Sequence, residues 1–181
     1  MILILTTKRS GSTFISKKIN SEAGYYYLGE FIDKRMRPSV VLEKLEFIRE
    51  NPKTTLKVFP SRMNPMIESG IFKLAERVVI HARKDFNSQC RSLYVSSQTG
   101  IWHANKTPVK KVSYNQDEFE KIKNQLIEDY TLLNTYRKMI DNYSISYLED
   151  VYSTENKYQQ PVEWDVEPPT VYFNIEELFK S

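Results

Sequence analysis

Residues Thr7-Lys8-Arg9-Ser10-Gly11-Ser12-Thr13 gather two cations and a row of hydroxyls around one glycine. They follow the apolar run Ile2 to Leu5 and lead into Thr13 to Asn20, a segment able to start a helix. Successive backbone N–H groups in such a turn form an anion nest, and a helix N-terminus adds about half a positive charge. Gly11 lets the backbone approach an anion closely. Lys8 and Arg9 supply charge, and Ser10, Ser12 and Thr13 supply hydroxyl donors. Phosphate or sulfate binding is the chemistry these residues can do in this order. The plainer alternative is a polar turn that caps a helix. A nucleotide-hydrolysing P-loop reads G-x-x-x-x-G-K-[ST]. Here the basic residues precede Gly11 and Ser12 follows it, which disfavours ATP or GTP hydrolysis.

A second set is His81-Ala82-Arg83-Lys84-Asp85, with Ser92 nine residues beyond Arg83. Arg83 can clamp a phosphate through two parallel N–H donors, and Ser92 can donate from a helix. Lys84, eight residues before Ser92, can fill the same role. Ordinary surface charge is the alternative for this segment taken alone.

The elements that must carry these residues follow from hydrophobic patterning. Ile2 to Leu5 and Arg77 to Ala82 are short apolar runs suited to buried strands, Thr55 to Phe59, stopped by Pro60, reads as another strand, and Tyr143 to Tyr147 as a short fourth. Ser39 to Glu50 reads as a helix with Ser39 as N-cap. Asn64 to Leu74 reads as a short helix, Asn87 to Ser97 as another. Asp117 to Asp141 is the longest, with Phe119, Ile122, Leu126, Tyr130, Leu133 and Ile140 on one face. Tyr25 to Ile32, Thr107 to Ser113 and Glu163 to Pro169 read as loops. Val171 to Lys180 fits a strand or a helix. Strands alternating with helices predict a three-layer α/β/α fold with a mostly parallel central sheet. Ligands bind such sheets at the carboxyl ends of strands, where both charged segments lie.

The chain of 181 residues fits one domain over residues 1–181. A chain of this size buries roughly 70% of its unfolded surface. Apolar residues make up 40% and charged residues 27%, a globular composition. The single Cys90 excludes an internal disulfide, and with only His81 and His103 no metal site is expected. Residues 1–111 carry 20 Lys+Arg against 9 Asp+Glu, a net +11, and residues 112–181 carry 6 against 14, a net −8. The basic part predicts an anionic partner or a solvated mixed surface. It lacks a nucleic-acid-binding pattern. No apolar run is long enough to span a membrane, and the N-terminus lacks a signal-peptide pattern, so a cytoplasmic location is expected.

Lys8-Arg9-Ser10-Gly11-Ser12-Thr13-Phe14 resembles the 5′-phosphosulfate loop of the PAPS-dependent sulfotransferase family, where a basic residue precedes Ser-Gly-[ST]-[ST]. The segment Arg83 to Ser92 resembles that family's 3′-phosphate motif. Ser92-Leu93-Tyr94, Ser97-Gln98-Thr99-Gly100-Ile101-Trp102-His103 and Leu28-Gly29-Glu30-Phe31 are similar to the bacterial trehalose-sulfotransferase branch. Thr55 to Pro60 and Ser146-Tyr147-Leu148-Glu149-Asp150 look like the family's second strand and late strand–turn segment. The resemblance runs from about residue 2 to 152, and its specific motifs cover some 40 residues.

The resemblance implies transfer of a sulfuryl group from PAPS (3′-phosphoadenosine 5′-phosphosulfate) to a hydroxyl acceptor, a carbohydrate in the trehalose-like branch, without a metal. It implies that Arg9, helped by Lys8, meets charge growing on the bridging oxygen. Ser10 to Thr13 then hold the 5′ phosphosulfate, and Arg83 or Lys84 with Ser92 holds the 3′ phosphate. Many members place a histidine base two residues after a strand lysine, but here the strand reads Lys57-Val58-Phe59. Glu30 is the expected base, both from the branch and because Leu28, Phe31 and Ile32 would desolvate it. A surface glutamate paired with Lys34 or Arg35 is the alternative. The chain is shorter than usual members and lacks a Gly-rich basic loop near its C-terminus. That keeps open a shortened, non-catalytic PAP-binding module, and an ATP-dependent small-molecule kinase is the weaker rival. His81 and His103 read as structural or surface residues, Cys90 as core, and Lys110-Lys111 as a solvated face. Trp102 and Tyr25-Tyr26-Tyr27 fit an acceptor wall or ordinary packing.

Overall fold

In a computed structural model, which describes residues 1–30, 36–68, 70–102, 111–151 and 162–181, Ile2–Thr6 forms strand β1, buried along its length. The elements that follow are α1 (Ser12–Ala23), β2 (Tyr26–Gly29), α2 (Pro38–Glu50), β3 (Thr54–Val58), α3 (Met63–Glu68) and β4 (Arg77–Ala82). Then come α4 (Phe86–Thr99), β5 (Lys111–Val112), α5 (Gln116–Arg137), β6 (Tyr143–Tyr147), α6 (Leu148–Val151), β7 (Glu163–Trp164) and α7 (Ile175–Lys180). Short 3₁₀ turns at Pro60–Arg62 and Ile71–Leu74 flank α3.

The central sheet has the order β2-β3-β1-β4-β6, and every neighbouring pair is parallel. Side chains alternate across a strand. Leu3, Leu5, Leu56, Val58, Val78 and Ile80 point to one face, where α2, α4 and α5 deliver Leu45, Ile48, Leu93, Phe119, Leu126 and Leu133. Ile2, Ile4 and Val79 point to the other, where α1 delivers Ile15. The connection β1–α1–β2 runs one way along the sheet, and β2–α2–β3 and β4–α4–α5–β6 run the other. A single hand of crossover therefore sends α1 to the opposite face from the rest. The three-layer α/β/α arrangement with a parallel sheet is the one expected.

Several local expectations are corrected. Tyr26–Gly29 is an edge strand rather than loop, in keeping with the β propensity of tyrosine; Tyr26 stays 78% exposed on the rim. Helix α2 starts with Pro38 behind an Arg37 N-cap that makes no side-chain cap, so Ser39 lies inside the helix. The helix expected over 64–74 is divided: Gly70, at φ +73, separates α3 from the following turn. Glu163–Trp164 pairs with Lys111–Val112 in a two-residue parallel ladder that loop readings missed. The undecided C-terminal segment ends in α7, with Asn174 capping the Glu177 N–H and Ile175 and Phe179 buried. Among the described residues, no helix is long and apolar enough to cross a membrane. Phe31, Ile32, Lys34, Arg35, His103 and Lys110 lie outside the described residues.

Candidate functional site

Neighbouring strands β1 and β4 send their chains in opposite directions, β1 toward β2 and β4 toward β6. A crevice opens at the carboxyl ends of such a pair. Residues 7–11 rise from one side of it and residues 83–85 from the other.

The first loop turns through Arg9, at φ 58, and Gly11, at φ 85. Gly11 is the N-cap of α1, and no side chain caps the helix. The first-turn N–H groups of Ser12 and Thr13 therefore lack intrahelical acceptors and point out of the helix end. The positive φ favours glycine at position 11, and a Cβ there would also displace the tip of the Leu148 side chain of α6.

The loop is braced from beneath. The Thr6 hydroxyl donates to the His81 carbonyl at 2.8 Å and lies 2.5 Å from the Ser10 hydroxyl. Thr6 has spent its proton, so Ser10 must donate to it. Ser10 is fully buried and its hydroxyl is spent on Thr6, so the hydroxyl expected to meet a ligand is turned inward. His81 Nε2 lies 3.1 Å from the Ser10 carbonyl and Nδ1 lies 3.4 Å from the Ser146 hydroxyl. A carbonyl only accepts, so Nε2 carries the proton. Burial pushes the imidazole down to about 4, which leaves it neutral at ordinary pH. His81 is a strut under the loop.

The second loop spends its backbone donors internally. Arg83 N–H donates to the Tyr130 hydroxyl at 3.1 Å, and the Lys84 and Asp85 N–H groups donate to the Glu149 carboxylate at 2.9 and 3.1 Å. Asp85 caps α4 by accepting from Ser88 N. What the loop can offer a ligand is its side chains, and these divide. Lys84 is held by Asp150 at 2.9 Å and Glu176 at 3.2 Å, with its ammonium over the Tyr147 ring. Arg83 lies mostly buried; its Nε makes no hydrogen bond and stands 3.9 Å from Glu149.

Arg9 reaches across the crevice. Its Nε donates to the Ser92 hydroxyl at 2.8 Å and its Nη1 to the Trp102 carbonyl at 2.6 Å. Burial first, then the nearby Arg83 guanidinium, lower its proton affinity. Two like charges thus share a partly desolvated crevice, an arrangement that an anion between them would relieve. Lys8 is exposed at the rim. Asp129 on α5 is buried, which raises its pKa, opposed in part by its Gln125 hydrogen bond and the charge of Lys8.

Glu30 lies at the carboxyl end of β2, on the same sheet edge but two strands from β1. Its carboxylate pairs with Lys57 at 3.2 Å and Arg62 at 2.9 Å, and the side chain is 38% exposed. Phe31 and Ile32, two of the three residues expected to desolvate it, lie outside the described residues; its described partners are cations on β3 and the turn after it. Cys90 is buried in the core, where desolvation pushes its thiol up to about 12.

Sequence reasoning missed Gln89, Tyr130 and Glu149 as loop supports. Gln89 sits one turn before Ser92 on the helix already singled out. The Tyr130 hydroxyl leaves no trace in a hydrophobic pattern, which shows only a core aromatic. Among the described residues, no group of three or more His, Cys, Asp and Glu is placed to hold a metal ion. No protein-family model matches the chain, and no curated protein matches it.

Proposed function

We propose that the chain transfers a sulfuryl group from PAPS to a hydroxyl acceptor by in-line displacement. The observation that carries the reading is the pair Arg9 and Arg83, half-buried like charges on facing loops at the topological switch point, with an unbonded buried Nε on Arg83. Such a crevice suits a ligand with two separated anionic groups, as PAPS has. The α1 N-terminus and the Ser12 and Thr13 donors take the 5′ phosphosulfate. Arg83 takes the 3′ phosphate; the ion pairs of Lys84 argue against it as the clamp. Ser92 already accepts from Arg9 and can turn its own proton to a ligand.

In the reaction the acceptor oxygen attacks sulfur while the bond from sulfur to the bridging phosphate oxygen breaks. PAP leaves with that electron pair, and Arg9 meets the charge growing there. The acceptor proton passes to Glu30, which Lys57 and Arg62 orient. Catalysis is positioning and charge stabilisation, as in phosphoryl transfer.

A second reading, a non-catalytic PAP-binding module, is favoured by one observation: two ion pairs occupy the carboxylate that the reaction needs as base. Turnover of labelled PAPS against a panel of sugars and simple alcohols separates the two. With an acceptor in hand, Glu30→Gln should leave PAP affinity nearly intact and cut turnover by about 10²–10⁴. PAP binding without transfer to any acceptor would favour the module, and magnesium-dependent transfer from ATP would favour a kinase.

A further inference from the structure

Gln89 and Tyr130 are both fully buried, and every polar atom of the two side chains is engaged. Gln89 Nε2 lies 2.9 Å from the Thr7 hydroxyl and 2.5 Å from the Lys8 carbonyl. The Lys8 carbonyl can only accept, so the amide nitrogen must face it and the amide oxygen must face Tyr130, 2.8 Å away. On the far side, Arg83 N–H can only donate, so the Tyr130 oxygen accepts from it at 3.1 Å and gives its own proton to Gln89. The chain of contacts therefore runs Arg83 N–H to Tyr130, Tyr130 O–H to Gln89, and Gln89 NH₂ to Thr7 and Lys8, with the Thr7 hydroxyl also bonded to the Tyr130 phenol. Burial pushes the phenol up to about 12, so the relay keeps its proton throughout the physiological range. Helices α4 and α5 thus join the backbones of the two loops that face each other across the crevice.

We propose that Gln89 and Tyr130 are positioning residues that set the spacing between the Arg9 loop and Arg83, so that both loops engage one doubly anionic ligand at once. The proposal rests on the nucleotide reading above. A ligand held at two points gains from the second contact only if that contact is already in place. Loss of the relay should then weaken a ligand that needs both loops and spare one that needs only the first.

Tyr130→Phe removes the hydroxyl and keeps the ring that packs against Phe86 and Phe179. Calorimetry with PAP and with AMP, which differ only in the 3′ phosphate, reads the effect. The expected result is a loss of about tenfold for PAP, the worth of one buried hydrogen-bonded link, with AMP affinity unchanged. Gln89→Met also removes the bonds to Thr7 and Lys8 that brace the first loop, so it should weaken both ligands, PAP more than AMP. Because Tyr130 acts through Arg83, Tyr130→Phe on an Arg83→Ala background should cost PAP little more. A wild-type preference for PAP over AMP that survives both variants, or an equal loss for both ligands, overturns the relay and leaves the nucleotide reading standing. Wild-type protein that binds PAP and AMP alike overturns the nucleotide reading, and the relay with it.

Discussion

Arg9 is held in the left-handed region, which costs a non-glycine residue about 1–2 kcal/mol. The cost is offset by bonds that aim its guanidinium: Ser92 on one helix and the Trp102 carbonyl beyond it. That preorganisation suits charge appearing only at transfer. Arg9→Ala should lower turnover by roughly 10²–10³ while PAP affinity changes far less. A pure binding defect with normal turnover would make Arg9 an anchor and hand its role to Lys8. His81 gives a pH signature. Its folded pKa is near 4 against about 6.5 unfolded, so the unfolded chain binds the extra proton. Its contribution to stability is complete above pH 6.5, falls between 6.5 and 4, and levels off below, about 3 kcal/mol in all. Urea melts should show stability dropping by about 1.4 kcal/mol per pH unit in that window. A flat profile from pH 7 to 5 would mean that His81 is not buried as described. Side-chain roles of this kind were only partly legible. The types and spacing of Arg9, Arg83 and Ser92 placed them near an anion. The inward turn of the Ser10 hydroxyl and the capture of Lys84 by Asp150 and Glu176 depend on partners far away in sequence.

At the scale of elements, the loop between β1 and α1 works because the helix behind it begins on a glycine. Gly11→Ala adds backbone strain and drives a methyl into Leu148 of α6. The expected loss is about 1–3 kcal/mol in stability, read by urea denaturation, with PAP binding weakened as the α1 N-terminus tilts away. Unchanged stability and affinity would show that the loop tolerates another shape. The strands β1 and β4 were legible because central parallel strands are continuous apolar runs with sharp ends; β6, at the opposite edge from β2, was legible as a short run, Tyr143 to Tyr147. Helix α5 was legible from its periodicity, though it ends at Arg137, short of Asp141. Strand β2 was not legible, since an edge strand of two tyrosines, a leucine and a glycine has no buried pattern to read. The β5–β7 ladder has two residues per strand, too few for any period to register.

Over the whole molecule, the excess of positive charge before residue 112 and of negative charge after it is partly satisfied within the fold. Lys84 meets Asp150 and Glu176, Arg83 stands beside Glu149, and Arg91 pairs with Glu167. The charge split therefore says less about an outside partner than the sequence alone suggests. The crevice is where the balance is least restored: Arg9 is lowered in proton affinity by burial first and then by the neighbouring Arg83 guanidinium, and its described bonds go to neutral partners, Ser92 and the Trp102 carbonyl. A ligand that bridges Arg9 and Arg83 should be bound through both, and its 3′ phosphate should matter as much as its 5′ group. The most direct measurement is calorimetric titration of the wild-type protein and Arg83→Ala with PAP and with AMP. The wild type should bind PAP well ahead of AMP, and Arg83→Ala should remove about 1.5–3 kcal/mol from PAP binding while leaving AMP almost untouched. Equal affinity of the wild type for PAP and AMP would contradict it.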